Sequence, residues 1–225
     1  MAQTPYYEEP GIQVFQADCL DVLPCLPPAV VITDPPYNVG KNYADYDDAM
    51  PLDDWVDYLG ARLAVANATE VIFFPGTKNL FAVPRILARA TLDLRHVLGW
   101  HKKEFAGDKW SAGPAMCWEP IIWAGRGPRV FNRVFGTIGR DFLVVNATHG
   151  DPWAKRHPCQ KPLPVMLWLI NLFVPEKALV VDPFLGSGTT LQAAKELGRP
   201  AIGIDCSDVY CALTVQRLAQ GVLAL

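Results

Sequence analysis

The sequence predicts an α/β fold with a mostly parallel sheet, and two stretches carry that prediction. Val30-Val31-Ile32-Thr33 is an apolar, β-branched run, the pattern of a strand buried on both faces, and it stops abruptly at Asp34-Pro35-Pro36-Tyr37. The second stretch is a strand at Ala178–Val181, a tight glycine-rich loop from Asp182 to Gly188, a helix from Thr189 to Leu197 and another strand at Ala201–Ile204 that closes on Asp205. Strand, loop, helix, strand is a βαβ unit, which needs parallel pairing. At 225 residues the chain suits one domain with a single sizeable core.

The elements follow in order. Ile12–Ala17 alternates as a strand and ends at Asp18-Cys19, and a turn-rich crossover with Asp21, Pro24, Pro27 and Pro28 leads to the strand Ala29–Thr33. Asn38 to Asp48 is polar, aromatic and unpatterned, so 38–50 is expected to be a mobile loop. Leu52–Ala66 reads as a helix, with Asp53 and Asp54 at its positive end and Trp55, Leu59 and Leu63 on one face. Glu70–Gly76 is a strand closed by a turn, and Leu80–Ala90 a helix that tolerates Pro84 only in its first turn. Leu94–Lys102 and Pro120–Ala124 are further strands, Arg129–Phe135 a short strand or ribbon, and Leu163–Val174 an apolar helix. Ser207 or Asp208 is positioned to cap a last helix running to about Gln220.

Composition excludes several classes. No run of 18 apolar residues is present, so no membrane span is expected. Met1–Pro10 carries two acids and no signal-peptide pattern. The six cysteines form no Cys-x-x-Cys pair and support neither a zinc site nor a disulfide framework. Small buried thiols in a reducing cytoplasm are the expectation.

The chemistry is concentrated at two loops. Neither Pro35 nor Pro36 can donate a ladder hydrogen bond, and a residue before proline is driven out of the helical region. The chain thus leaves its strand extended, with backbone carbonyls unpaired beside an acid and an aromatic ring. A carboxylate acceptor, a fixed carbonyl acceptor and a stacking ring suit a planar base that carries an exocyclic amino group. In the second loop, glycines let the backbone approach a ligand, and an acid such as Asp205 accepts from ribose hydroxyls. Gly186-Ser187-Gly188-Thr189 lacks the third glycine of the dinucleotide pattern, which disfavours an oxidoreductase.

Asp34-Pro35-Pro36-Tyr37 is similar to the catalytic motif of DNA methyltransferases that act on adenine N6 or cytosine N4. Asp182–Thr190 resembles, over nine contiguous positions, the loop by which those enzymes hold S-adenosylmethionine, and His157-Pro158-x-Gln160-Lys161-Pro162 resembles the entry to that site. The order of the motifs, catalytic first and cofactor last, resembles the circularly permuted beta class, and the resemblance covers about residues 12–218. It implies a Rossmann-like S-adenosylmethionine-dependent methyltransferase fold with a seven-stranded, mostly parallel sheet in the family order 3-2-1-4-5-7-6. There the strand ending at Asp182 lies beside the one ending at Asp34.

The resemblance also implies roles. Asp34 and the Pro35 carbonyl would accept the two amino hydrogens, Pro36 would complete the rigid turn, and Tyr37 would stack on a flipped base. Asp18 and the Cys19 backbone would meet the cofactor adenine, and Lys161 its carboxylate. Asp182, Phe184, Gly186, Ser187, Gly188 and Thr189 would form the cofactor loop. Asp205 would hold the ribose, where the family more often has glutamate. No metal is implied.

Net charge is −3, an awkward value for a protein that binds a polyanion, but its distribution is uneven. Residues 1–94 hold 5 Lys/Arg against 13 Asp/Glu, whereas residues 95–161 hold 11 against 5. One basic face meeting double-stranded DNA accords with this, with Arg126, Arg129, Arg133, Lys155 and Arg156 as phosphate-contact candidates. A reduced target-recognition region is expected within 102–156. A homodimer and a cognate restriction endonuclease stay open as partners. Cytosine N4 stays open as the target, as does RNA or protein methylation, although those relatives usually carry Asn-Pro-Pro-Tyr after the glycine loop.

Overall fold

Side chains of a strand alternate between faces, and the central strand shows why both faces here are covered. Val31 packs into one core with Trp55, Leu59, Leu63 and Ile86, while Val30 and Ile32 pack into another with Val165, Leu169, Ile170 and Leu191. Residues 4–41, 48–102, 117–129, 132, 139–145 and 160–220 are described in this computed structural model.

The strands are β1 (Tyr7–Glu9), β2 (Ile12–Gln16), β3 (Ala29–Thr33), β4 (Ala68–Phe73), β5 (Asp93–His101), β6 (Trp118–Gly125), β7 (Phe142–Val144), β8 (Leu179–Asp182) and β9 (Ala201–Asp205). They form one sheet in the order β1-β2-β9-β8-β3-β4-β6-β5-β7. Only β1 and β6 run against the rest. The seven strands from β2 to β5 reproduce the expected order 3-2-1-4-5-7-6. Two three-residue edge strands, β1 and β7, extend the sheet to nine among the described residues; they are too short to show a period in sequence.

The helices are α1 (Cys19–Val22), α2 (Leu52–Val65), α3 (Val83–Ala90), α4 (Leu163–Phe173), α5 (Thr189–Glu196) and α6 (Asp208–Ala219). Helices α1 to α3 cover one face and α4 to α6 the other. The crossover after β2, expected to be irregular, contains the single turn α1, capped by the Asp18 side chain on the Leu20 amide. A 3-10 segment, Thr77–Ala82, precedes α3 and leaves Pro84 in its first turn, where a missing N–H costs nothing. The Arg129–Phe135 ribbon lies outside the described residues except for Arg129 and Asn132. Of the 38–50 loop, 42–47 lie outside them.

β3 pairs with β8 on one side and β4 on the other, with Val30 opposite Val180 and Val31 opposite Val181. This register brings the ends of β3 and β8 level, so the loops after Thr33 and Asp182 emerge side by side at the carboxyl edge. Ligands collect at that edge in open α/β sheets.

Candidate active site

The strand ends are joined first. Thr33 Oγ1 donates to Asp182 Oδ1 at 2.7 Å, and the Phe184 amide donates to the same oxygen at 3.1 Å. Asp182 is only 2 % exposed, and burial pushes its carboxyl up to about 6 against the pull of hydrogen bonds from Thr190 and Thr33. It braces the loop from within.

The glycine loop takes its shape from φ angles that side chains disfavour, +52° at Gly186 and +75° at Gly188. A Cβ on Gly188 would lie 2.5 Å from Thr214 Oγ1. The Gly186 amide donates to Asp205 Oδ2 at 2.8 Å and the Ser207 amide to Asp205 Oδ1 at 2.9 Å, which fixes the acid at the end of β9. Behind the loop, buried Arg217 of α6 donates to Thr189 Oγ1 at 2.9 Å and to Gln160 Oε1 at 2.6 Å. It ties the Gln160-Lys161 segment to the start of α5.

One cavity runs along these elements. Its walls include Asp18, Cys19, Asp34, Lys161, Asp182, Phe184, Gly186, Ser187, Thr189 and Asp205, so most residues expected to hold a cofactor share a single space. Tyr58 and Arg62 of α2, not anticipated from sequence, line it as well. Arg62 pairs with Asp18 at 3.0 Å and lies 3.6 Å from the Tyr58 ring centre, so Asp18 combines its helix cap with an ion pair. Burial pushes the Cys19 thiol up to about 12, which leaves it neutral and inert.

Asp34-Pro35-Pro36-Tyr37 is held from four directions. Trp55 Nε1 donates to the Pro36 carbonyl at 2.9 Å and Asn79 Nδ2 donates to the Tyr37 carbonyl. Gly76 lies under the Tyr37 ring, where a Cβ would come within 2.9 Å of it. Asn38, in the left-handed region at φ 55°, exchanges two side-chain hydrogen bonds with Met50, and Asp48 accepts from the amides of Asn38, Val39 and Lys41. The base of the expected mobile loop is therefore clasped. Among the described residues no hydrogen bond reaches the Pro35 carbonyl, which leaves it as an acceptor.

Polar groups converge on Asp34. Tyr37 Oη donates to Asp34 Oδ1 and Lys161 Nζ to Asp34 Oδ2, both at 2.6 Å. Glu119 of β6 lies next to both donors, with Lys102 Nζ on its other oxygen at 2.5 Å. Burial raises the Asp34 carboxyl above its ordinary value against the pull of Lys161 and Tyr37. On Glu119 burial also acts upward, but Lys161 and Lys102 outweigh it and hold the carboxyl below its ordinary value. Lys161, expected to face a cofactor carboxylate, borders the cavity but directs its ammonium at the two acids.

Asp34 and Pro36 thus line the same cavity as the glycine loop, and the Pro35 carbonyl between them accepts no hydrogen bond among the described residues. Over residues 29–216 the chain matches the DNA methylase family of N6 and N4 amino-methyltransferases. The chain belongs to this DNA methylase family. It is 26% identical to the type II methyltransferase M2.LlaDCHI of Lactococcus lactis subsp. cremoris, over 96% of this chain and 93% of that protein. It is 25% identical to M2.DpnII of Streptococcus pneumoniae, over 95% and 92% respectively. In fold, this DNA methylase resembles the M1.HpyAVI–SAM complex (TM-score 0.74, 24% identity, 92% of this chain and 98% of that one). It also resembles the cytosine-N4-specific PvuII DNA methyltransferase (TM-score 0.75, 19% identity, 92% and 86%).

The DNA-contact candidates divide. Arg126 directs its guanidinium inward, onto the carbonyls of Leu63, Ala64 and Ala66 at the end of α2, Ala90 at the end of α3 and Ala68 at the start of β4. Both terminal nitrogens thus donate to carbonyls inside the protein, as in a helix C-cap. Arg129 is exposed. Arg133, Lys155 and Arg156 lie outside the described residues.

Proposed function

We propose that this DNA methylase transfers the methyl group of S-adenosylmethionine to N6 of an adenine flipped out of duplex DNA. The observation that supports this reading is the Asp34 carboxylate in the wall of the glycine-loop cavity, followed by a Pro35 carbonyl that accepts no hydrogen bond among the described residues.

The cavity suits the cofactor. Gly186 and Ser187 line it, Asp205 is held in its wall by the Gly186 and Ser207 amides, and the Ser207 hydroxyl, buried in the same wall, has no hydrogen-bond partner among the described residues. Such an orphaned group calls for a polar ligand atom. When bound, S-adenosylmethionine supplies an electrophilic methyl group on a positively charged sulfur. Asp205, Phe184 and the loop amides would hold and orient it.

Flipping the base costs a few kcal/mol, on the order of one lost stacking and pairing partner. Tyr37 would repay part of that by stacking. Asp34 and the Pro35 carbonyl each accept one amino hydrogen, which draws the nitrogen lone pair out of conjugation with the ring and aims it across the cavity. Positioning and electrostatics then supply most of the acceleration.

Asp, rather than Ser, at the first position of the motif favours adenine in this family. Cytosine N4 is the second reading, favoured by the fold likeness to the PvuII enzyme. The likeness to type II methyltransferases supports a restriction–modification setting for that activity. The test is transfer from labelled S-adenosylmethionine to unmethylated genomic DNA, followed by nucleoside digestion and mass analysis. N6-methyladenine is expected; N4-methylcytosine would replace the target, and an unlabelled DNA pool would overturn the reading.

A further inference from the structure

Both oxygens of Asp34 are already engaged in the free protein, one by the Tyr37 hydroxyl and one by the Lys161 ammonium, each at 2.6 Å. An amino group arriving at Asp34 must compete with a cation and a phenol. Both competitors have a second acceptor within reach. Glu119 Oε2 lies 3.3 Å from the Tyr37 hydroxyl and 3.6 Å from Lys161 Nζ. Glu119 comes from β6, two strands away from β3, and its carboxylate is 15% exposed. The pair Lys102–Glu119 and the pair Lys161–Asp34 balance each other in charge, so either lysine can be shared without leaving a net charge buried.

We propose that Glu119 is a positioning residue for methyl transfer: it is the alternate acceptor to which Tyr37 and Lys161 turn when the base takes their place on Asp34. The exchange needs only rotation of one hydroxyl and a shift of one ammonium. No proton changes owner, since the phenol stays protonated and both lysines stay charged. It leaves the Asp34 carboxylate anionic and open to the amino hydrogen, while Tyr37 keeps its ring anchored by the hydroxyl. This inference rests on Asp34 being the amino-group acceptor.

The charged and titratable groups that face the exchange come from five places. They are Tyr37 in the same loop as Asp34, Asp182 at the end of β8, Glu119 on β6, Lys102 beyond β5 and Lys161 ahead of α4. Removing the Glu119 charge leaves Lys161 wholly on Asp34, which lowers the pH at which Asp34 ionises. Removing the Lys102 charge acts in the opposite sense.

The test compares Glu119→Gln, Lys102→Met and Asp34→Asn with the wild type in single-turnover methyl transfer across pH, with cofactor binding and thermal stability measured alongside. For Glu119→Gln, kcat should fall at least tenfold, cofactor Kd should stay within about twofold, and the acid limb of the kcat profile should move to lower pH. Lys102→Met should move that limb to higher pH. Glu119→Asp should restore part of the rate. A structural role would move neither limb, so unchanged profiles with Asp34→Asn inactive would overturn the proposal. If Asp34→Asn itself turned over, the reading of Asp34 would fail instead. Should Glu119→Gln not fold, the Lys102→Met limb alone decides: a shift to higher pH supports the exchange and no shift overturns it.

Discussion

Thr33 and Asp182, 149 residues apart, share a buried 2.7 Å hydrogen bond that locks the end of β3 to the end of β8. It holds the two loops at one edge of the sheet, and it does so with a carboxylate that burial raises to about 6 from an ordinary 3.8. An acid raised in the folded state binds its proton there at a pH where the unfolded chain has already lost it. Its contribution is thus intact below about pH 4 and is lost as pH rises through about 6. The difference corresponds to roughly 3 kcal/mol at neutral pH. Asp182→Asn, which carries no charge, should therefore gain stability relative to the wild type as pH rises from 4 to 8. Denaturant unfolding of both proteins at several pH values measures this; a constant difference across that range would show that Asp182 is not buried as a strained acid.

The glycine loop makes a second prediction. Alanine at 188 would have to hold a left-handed φ, which costs about 1–2 kcal/mol, and would press its Cβ on Thr214. Gly188→Ala should lose at least that much stability and bind S-adenosylmethionine more weakly. Adding Thr214→Ala removes the two nearest atoms but keeps the Thr214 Cβ at 2.9 Å and leaves the backbone strained, so calorimetry should recover only part of the loss.

Arg126 and Arg129 separate structure from recognition. Arg126 caps two helices through carbonyls, with its shortest bond to Ala90 at 2.7 Å, so Arg126→Ala should cost on the order of 2–3 kcal/mol in stability. The salt dependence of DNA binding should not change. Exposed Arg129 should behave conversely: Arg129→Ala should leave stability within about 0.5 kcal/mol and lower the slope of log K against log salt by about 1. Paired melting and salt-titration curves check both.

These residues also mark where sequence legibility ended. Val30–Tyr37 and Asp182–Thr190 were readable because a run of β-branched residues, paired prolines and close glycines each restrict the backbone on their own. Pairing of β3 with β8 followed from the family's strand order. Glu119 is hidden because it precedes the apolar run Pro120–Ala124 that marks the strand, and an acid there looks like a solvent-facing residue; only the sheet brings Lys102 and Lys161 to it from distant segments. Trp55, Asn79 and Gly76 were hidden likewise, since each meets the catalytic loop through tertiary packing. The inward turn of Arg126 is equally hidden, because a basic residue in a basic region carries no mark of which way its guanidinium points.

The most direct measurement sets wild type beside Asp34→Ala, with S-adenosylmethionine binding by calorimetry and methyl transfer to unmethylated DNA by nucleoside mass analysis. Asp34→Ala should bind the cofactor within about threefold of the wild type and lose transfer by at least 10³-fold, the scale of a positioned electrostatic group. Transfer retained within tenfold, with the same methylated nucleoside as product, would contradict the placement of Asp34 at the centre of the chemistry.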